Sequence, residues 1–247
     1  MTLSVVIITK NEERNIGNCL KSVKWADEII VVDAFSQDKT AEIAKQYTDK
    51  VAYRKWDNFL NQRSFALRSA SCDMVLIMDA DEILDKDAQD DIRGVLTSSE
   101  VYNGYHIIRD TYFLGKRLIF SQRPESIIRL FRKDKGFIVN ECGQRGHEHY
   151  GVHQHTAVLN GRLEHHTAHT IAERLEKIDR YSTLWAEEQA EHGKPKYLIF
   201  KMTYGTTKSF MGNFFVRRGF LDGFHGFIWC TLKAMEHFLK YSKLLES

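Results

Sequence analysis

Acidic residues follow directly after an apolar run, VLIM, at positions 75–78 of the 247-residue sequence. Asp79 and Asp81 are separated by Ala80, and Glu82 comes next. Two carboxylates at this spacing can share a hard divalent cation, Mg²⁺ or Mn²⁺, which in turn binds the oxygens of a diphosphate. Acidic residues are frequent over the next ten positions too, so a solvated acidic turn is the alternative. The position directly after a buried strand favours the metal site.

The elements that must position this motif alternate over the first third of the chain. Leu3–Thr9 (LSVVIIT), Glu28–Asp33 (EIIVVD) and residues 74–78 are continuous apolar runs, typical of strands buried on both faces. Apolar residues at helical spacing lie between them, and Asn11 is the expected N-cap of the first helix. This alternation predicts an α/β fold with a mostly parallel sheet flanked by helices.

Polar residues stand where three of these strands end. Thr9, Asn11 and Glu12 follow the first strand, Asp33 ends the second, and the DxD triplet ends the fourth. Open α/β sheets bind ligands at this edge. Neither GxGxxG nor GxxxxGK[ST] occurs at the first turn, so a dinucleotide fold and a P-loop enzyme are not supported.

After Ser99 the pattern changes. Residues 104–109, 116–120 and 127–132 read as short strands, which predicts an antiparallel addition to the sheet. Thr170-Ile171-Ala172-Glu173 is a capping box that opens a helix closing at Gly193, and the last helix is expected from about Ile228. The predicted organisation is a catalytic domain over residues 1–168 and a C-terminal helical region over 169–247.

Four segments, in order, resemble a known family. VVIITKNEERNI, IIVVDAFSQDKT, QRSFAL and VLIMDADE are similar to inverting family-2 glycosyltransferases with the GT-A fold, over about residues 2–148. Within that family, QRSFAL, the His-Glu pair at 147–148 and GFLDGFHGF resemble bacterial lipopolysaccharide-core β-glucosyltransferases. The resemblance implies an enzyme that moves glucose from UDP-glucose to a membrane-borne glycolipid such as the lipopolysaccharide inner core.

The resemblance also implies roles for individual residues. Asp33 would read the base, and Asp79 and Asp81 would hold the ribose, the metal and the diphosphate. Arg63 could face the diphosphate, or lie on the helix surface. The candidate donor-binding residues are Thr9, Asn11, Glu12, Asp33, Gln62, Arg63, Asp79 and Ala80, and the candidate metal ligands are Asp81 and Asp79. The segment DAFSQD is one residue longer than the Asp-Gly-Ser-x-Asp of many relatives.

An inverting transfer needs a carboxylate that deprotonates the acceptor hydroxyl. Glu148, in GHEHYG, is the candidate because relatives carry a His-Glu pair near this point. Glu141 and Asp110 are the alternatives. Any one of these carboxylates could instead lie on the surface in a salt bridge, without a role in the reaction.

Seven of the 11 histidines lie between residues 147 and 169. A zinc site is not favoured, because HExxH and cysteine partner spacings are missing. If the chain is a glycosyltransferase, as the resemblance implies, His147, His165 or His166 could complete the coordination of the metal or contact the diphosphate. Most of these histidines are expected in the acceptor pocket or on the surface.

Charge separates the chain into two parts. Residues 194–247 contain nine Lys/Arg against three Asp/Glu and 12 of the 29 aromatic residues. This composition favours peripheral binding to an anionic membrane surface, on the inner face of the cytoplasmic membrane. Helix packing with a dimer interface is the alternative, and nucleic acid is not expected as a partner. Four dispersed cysteines, and no apolar run long enough for a signal peptide or a membrane span, fit a cytoplasmic protein.

Two other functions fit parts of the pattern. DADEI loosely matches the DxDx[TV] motif of aspartate-nucleophile phosphatases, but that mechanism needs the motif on the first strand. A non-catalytic, membrane-associated scaffold is disfavoured because the carboxylates that a transfer reaction needs are present.

Overall fold

Strands and helices alternate along the first hundred residues, as predicted. The computed structural model describes residues 1–57, 59–139, 149–153, 155–191, 193 and 195–246. The first elements are β1 (Leu3–Thr9), α1 (Ile16–Val23), β2 (Glu28–Asp33), α2 (Thr40–Ala44), β3 (Val51–Tyr53), α3 (Phe59–Ser69), β4 (Met74–Asp79), β5 (Glu82–Leu84) and α4 (Lys86–Thr97).

Strands then dominate until the helices of the C-terminal region. The later elements are β6 (Gly104–Phe113), β7 (Lys116–Leu118), β8 (Glu125–Arg132), β9 (Gly136–Val139), β10 (His149–Val152), β11 (Thr156–Ala168), α5 (Ile171–Glu191), α6 (Leu198–Met211) and α7 (Gly223–Glu246). A π-helical turn (Gly212–Val216) and a 3₁₀ turn (Gly219–Asp222) connect α6 to α7.

The chain divides into two units. The first unit comprises Met1–Arg109 and Glu125–His165, and the second comprises Asp110–Pro124 and His166–Ser247. The predicted boundary at residue 168 stays a prediction, and it placed residues 110–124 in the catalytic domain. They belong to the second unit because β7 pairs with Thr111–Phe113 and the loop after β7 binds Asp222.

The large sheet is mixed, and β7 pairs with β6 outside the linear strand order. Its order is β3-β2-β1-β4-β8-β6-β11-β5. Strands β3, β2, β1 and β4 run parallel, whereas β8 pairs antiparallel with β4 and β6, and β11 pairs antiparallel with β5. The predicted α/β class with an antiparallel addition is therefore confirmed.

Apolar cores cover both faces of this sheet. Alternate residues of each parallel strand point to opposite faces. Leu3, Val5 and Ile7 of β1 pack with α1 and α4, whereas Val6 and Ile8 pack with α3. Burial on both faces explains why these strands are uninterrupted apolar runs.

The first helix begins later than expected. Asn11 was predicted as its N-cap, but α1 starts at Ile16. The backbone of Asn11 is left-handed (φ 54°), and its amide oxygen accepts the N–H of Gln37 at 2.9 Å. Asparagine tolerates this conformation better than most residues, so Asn11 shapes the loop after β1.

The second unit is built on its three long helices. The predicted capping box is present, because Glu173 N donates to Thr170 Oγ1 at 3.1 Å. The last helix begins at Gly223, five residues before the predicted Ile228. None of the helices in the described ranges is long and apolar enough to cross a bilayer.

Buried Asp222 closes the turn before α7. Its Oδ2 accepts the N–H of Ser121 (2.7 Å), the hydroxyl of Ser121 (2.6 Å) and the N–H of Phe120 (3.0 Å). Glycine is required nearby, because a Cβ on Gly226 would lie 2.1 Å from the carbonyl oxygen of Gly219. These contacts give structural reasons for Asp222 and Gly226 in the segment GFLDGFHGF, residues 219–227.

Candidate active site

Three neighbouring strands end side by side at the carboxyl edge of the parallel strands. Thr9 of β1 lies opposite Asp33 of β2, and Ile8 lies opposite Asp79 of β4. The N–H of Ser36 donates to Asp33 Oδ1 at 2.8 Å. Asp33 Oδ2 and Thr9 Oγ1 are buried, and neither has a hydrogen-bond partner among the described residues. Because buried polar atoms are nearly always hydrogen-bonded, these two atoms are suited to receive a ligand.

The loops after β1 and β2 hold each other in place. Asn11 N donates to Ser36 Oγ at 2.8 Å, and Asn11 Oδ1 accepts from Gln37 N at 2.9 Å. Glu12 N donates to Thr40 Oγ1 at 2.8 Å. These contacts bring the predicted donor-binding residues Asn11 and Glu12 to the loop that follows Asp33.

The turn after β4 carries the DxD triplet. Ala80 is buried, and Asp81 Oδ2 lies 3.4 Å from His165 Nε2. The antiparallel pairing of β5 with β11 creates this approach, since His165 lies opposite Glu82. Carboxylate oxygens and imidazole nitrogens are both ligands of divalent cations. Over the described ranges, no set of three His, Cys, Asp or Glu residues forms a complete metal site.

The other carboxylate of the triplet, Asp79, is bound by a buried arginine. Arg129 of β8 donates through Nη2 to Asp79 Oδ2 (2.9 Å) and to Glu82 Oε1. Glu82 Oε2 accepts the backbone N–H of Asp79 at 2.9 Å. Arg109 of β6 lies 3.4 Å from Glu82 and 2.6 Å from Glu125. Two arginines and three carboxylates therefore form one network at the DxD turn.

The charges in this network keep Asp79 ionised. Burial alone raises the pKa of the Asp79 carboxyl, but Arg129 and Arg63 outweigh burial and hold the pKa below its ordinary value. Burial lowers the pKa of Arg129, but the charges of Glu82 and Asp79 outweigh this and raise it. Charge-assisted hydrogen bonds of this kind are short and directional, so Arg129 fixes the orientation of Asp79.

Helix α3 contributes the predicted pair Gln62 and Arg63. Gln62 is buried, and its Oε1 accepts from Arg54 Nη1 at 2.6 Å. The guanidinium of Arg63 lies 5.7 Å from the ring centroid of Tyr150, within the range of a cation–π contact. The charge of Arg63 also lowers the pKa of the Asp79 carboxyl.

The segment that contains β1, β2, α3 and β4 matches a known family. The family model described as "Glycosyl transferase family 2" matches residues 4–142, more than half of the chain. The chain belongs to glycosyl transferase family 2. The family predicted from the sequence and its enzyme class, glycosyltransferase, are thereby confirmed. The phosphatase and scaffold alternatives are replaced by this finding.

Individual relatives extend this similarity over nearly all of the chain. The chain is 33% identical to an uncharacterized glycosyltransferase of Rickettsia typhi, covering 99% of this chain and 87% of the relative. It is 30% identical to the lipopolysaccharide core biosynthesis glycosyltransferase of Rhizobium meliloti, covering 100% and 93%.

Among solved structures, the chain is similar to S. aureus TarS residues 1–349. The complex with UDP gives a TM-score of 0.48 at 17% identity, covering 89% of this chain and 74% of that one. For the complex with UDP-GlcNAc the values are 0.48 and 18%, covering 76% and 66%.

The predicted catalytic base of this glycosyltransferase, Glu148, lies outside the described residues. The same holds for its alternative Glu141 and for His147. The other alternative, Asp110, is buried in the second unit, where its Oδ1 pairs with Arg117 Nη2 at 2.9 Å. Glu148 therefore stays a prediction.

The two remaining candidate histidines have different surroundings. His165 faces Asp81, as described above. His166 belongs to the second unit, where its ring stacks on Tyr112 (centroids 4.9 Å apart) and lies 6.0 Å from the ring of His169. Consecutive strand residues point to opposite faces, which accounts for the difference.

Sequence reasoning missed Arg129 and Tyr150. Arg129 lies in the strand IIRLFR among apolar residues, and a charge in such a run has to be paired when the strand is buried. That signal was available. The buried hydroxyl of Tyr150, which has no hydrogen-bond partner among the residues described, gave no signal in the sequence.

Proposed function

We propose that this glycosyltransferase transfers glucose from UDP-glucose to a membrane-borne glycolipid, such as the lipopolysaccharide inner core, with inversion of the anomeric centre. The observation that carries the proposal is the pair of buried atoms at the strand ends, Asp33 Oδ2 and Thr9 Oγ1, which lack partners within the described ranges. Uracil presents an imide N–H between two carbonyl oxygens. A carboxylate oxygen accepts from the N–H, and a hydroxyl donates to a carbonyl.

A divalent cation, Mg²⁺ or Mn²⁺, fits beside the donor. Two ligands of one octahedral ion stand about 3 Å apart, and Asp81 Oδ2 and His165 Nε2 are separated by 3.4 Å. Diphosphate oxygens and water would complete the shell, as is usual for such ions. The ion would supply positive charge at the leaving diphosphate. Asp79, oriented by Arg129, is the proposed partner of the ribose and diphosphate.

Two further residues are proposed to act on the reacting groups. Arg63 donates hydrogen bonds to the diphosphate as negative charge develops there. Glu148 takes the proton of the acceptor hydroxyl while the oxygen of that hydroxyl bonds to the anomeric carbon. The bond from that carbon to the diphosphate breaks at the same time, which inverts the centre.

The acceptor class is supported by the Rhizobium relative, whose name assigns it to lipopolysaccharide core biosynthesis. The basic, aromatic C-terminal region supports work at an anionic membrane, on its cytoplasmic face. Lipid-linked acceptors are held at such a surface, so an enzyme bound there meets its acceptor in two dimensions.

Thermal unfolding tests the donor site first. UDP-, GDP-, ADP- and CMP-sugars are compared with and without Mn²⁺, since a ligand of the folded state raises its stability. We expect stabilisation by UDP-glucose that increases with Mn²⁺. Asp33→Asn should lose most of the nucleotide shift, and Asp81→Asn only the part that depends on Mn²⁺. Asp87→Asn, an exposed acid of α4, is the matched control.

Two results would count against this function. Equal stabilisation by all four nucleotides would reject the role of Asp33 in reading uracil. A full Mn²⁺ effect in Asp81→Asn would remove Asp81 from the metal site.

A further inference from the structure

The junction of α6 and α7 in the second unit exposes large apolar side chains. Seven residues between 211 and 227 are each at least 45% exposed, and we call this set the apolar tip: Met211, Phe215, Val216, Phe220, Leu221, Phe224 and Phe227. Ile199, Phe200 and Tyr204 continue the exposed apolar surface along α6. Large apolar surfaces are rarely left exposed in a soluble protein unless they contact a partner or a membrane.

Ring contacts and the hydrogen bonds of Asp222 support the apolar tip from within the second unit. Phe214 is half-buried at its centre, and its ring centroid lies 5.3 Å from that of Phe210, 5.0 Å from Phe215 and 5.7 Å from Phe227. The hydrogen bonds of Asp222 to residues 120 and 121 anchor the 3₁₀ turn. The exposed rings therefore project from an ordered scaffold, which reduces the entropy lost when they bind.

The exposed charges just before α6, on α6 and on the turns that follow it have one sign. Between residues 196 and 221 there are five Lys or Arg residues and no Asp or Glu. All five are exposed: Lys196, Lys201, Lys208, Arg217 and Arg218. The next acidic residue, Asp222, is buried and accepts hydrogen bonds from backbone N–H groups.

This positive charge decides which of two partners the apolar tip would contact, a second copy of the chain or an anionic bilayer. A second copy of the chain would pack the same patch against itself about a two-fold axis, and would bring the five cations of one copy towards those of the other. An anionic bilayer suits both features, because aromatic side chains enter the headgroup–acyl boundary while lysine and arginine bind lipid phosphates.

We propose that the apolar tip is a membrane-insertion element. Phe215, Val216, Phe220, Leu221 and Phe224 enter the interface of an anionic bilayer, and the cations Lys208, Arg217 and Arg218 pair with its phosphates. The inference deepens the membrane association proposed above, and it adds penetration of the acyl boundary by a defined set of side chains.

Vesicle binding tests whether the side chains of the apolar tip are required for membrane binding. Vesicles of phosphatidylcholine with phosphatidylglycerol are co-sedimented with the full chain. The triple variant Phe215→Ser, Phe220→Ser, Phe224→Ser should bind about 100-fold more weakly. A matched triple variant on exposed apolar residues of α5 (Ile171→Ser, Leu175→Ser, Leu184→Ser) should bind as the parent does. Equal loss in both triple variants would overturn the proposal.

Insertion depth is measured separately. Tryptophan is introduced as Phe224→Trp or, for comparison, as Leu175→Trp, and quenching by lipids brominated on their acyl chains is recorded. We expect added quenching only for Phe224→Trp, and retention of part of the binding at about 1 M salt, where the Debye length is about 3 Å. Binding without added quenching would overturn insertion but leave electrostatic membrane association standing.

Two outcomes separate this inference from the proposed function. If the parent chain does not co-sediment, insertion and membrane association both fail, whereas the UDP-glucose and Mn²⁺ shifts still test the donor site. If light scattering shows a dimer that the Phe→Ser triple variant dissociates, the apolar tip is an interface between copies and the insertion proposal is wrong.

Discussion

Replacing Arg129 with glutamine is the most direct test of the network at the DxD turn. Arg129 is 5% exposed and Glu82 is fully buried, whereas the Asp79 side chain is 27% exposed. Removing one partner of a buried ion pair costs about 3–5 kcal/mol. We expect the lower end, about 3 kcal/mol, because solvent reaches Asp79 and Glu82 keeps its contact with Arg109.

The free energy of unfolding is measured by urea denaturation of the parent and the variant. The slopes of the two transitions are then compared, because equal slopes show that the two unfolded states expose the same surface. Arg93→Gln is the control, since the Arg93–Asp90 pair is about half exposed on both sides and should contribute less than about 1 kcal/mol. A loss for Arg129→Gln no larger than that of the control would refute the reasoning.

A second substitution identifies the cause of the loss. In Arg129→Gln, Asp79 and Glu82 repel each other without a shared cation. Adding Glu82→Gln removes one of these charges, so the double variant should be less destabilised than the sum of the two single variants by about 1–3 kcal/mol. Additive losses would mean that Arg129 stabilises the protein through packing of its side chain alone.

Three further predictions concern the first unit. The pKa of Glu28 is lowered to about 2, because hydrogen bonds from Lys50, Ser4 and Ser71 outweigh the effect of burial. Its ordinary value is about 4.3, so its contribution to stability is complete above that pH and is lost as the pH falls towards 2. Between about pH 5 and pH 2.5 the parent should therefore lose about 2 kcal/mol more stability than Glu28→Gln, and parallel pH profiles of urea midpoints would contradict this. Gly161→Ala should destabilise by several kcal/mol, because its Cβ would lie 1.9 Å from the backbone nitrogen of Ala88. Gly94→Ala in α4, where nothing lies within 4 Å of the Cβ, should instead stabilise by about 0.5–1 kcal/mol, and calorimetry of both variants decides.

The parallel strands were predictable because a strand that is buried on both faces contains a run of apolar residues, and this run is visible in the local sequence. Leu3–Thr9, Glu28–Asp33 and Met74–Asp79 each contain at least four consecutive apolar residues, and a polar residue marks the point where each strand ends. Parallel neighbours align these ends, so the meeting of Thr9 with Asp33 followed from local sequence. The start of α1 did not, because Asn11 is a common cap that here bonds to a distant loop.

Contacts that depend on pairing between distant strands could not be predicted in the same way. Arg129 reaches Asp79 because β8 lies antiparallel beside β4, and His165 reaches Asp81 because β11 lies beside β5. A one-residue change of register would turn each side chain to the opposite face of the sheet. The sequence pattern shows which residues belong to strands but does not determine that register.

The mutual hydrogen bonds of the loops after β1 and β2 have a consequence for engineering a different donor preference. Asn11 and the segment Ser36–Gln37 each supply one donor and one acceptor to the other. A graft that imports either loop alone from a relative would leave its counterpart with mismatched groups. The two loops form a single exchangeable cassette, and successful chimaeras should be those in which both loops come from the same parent.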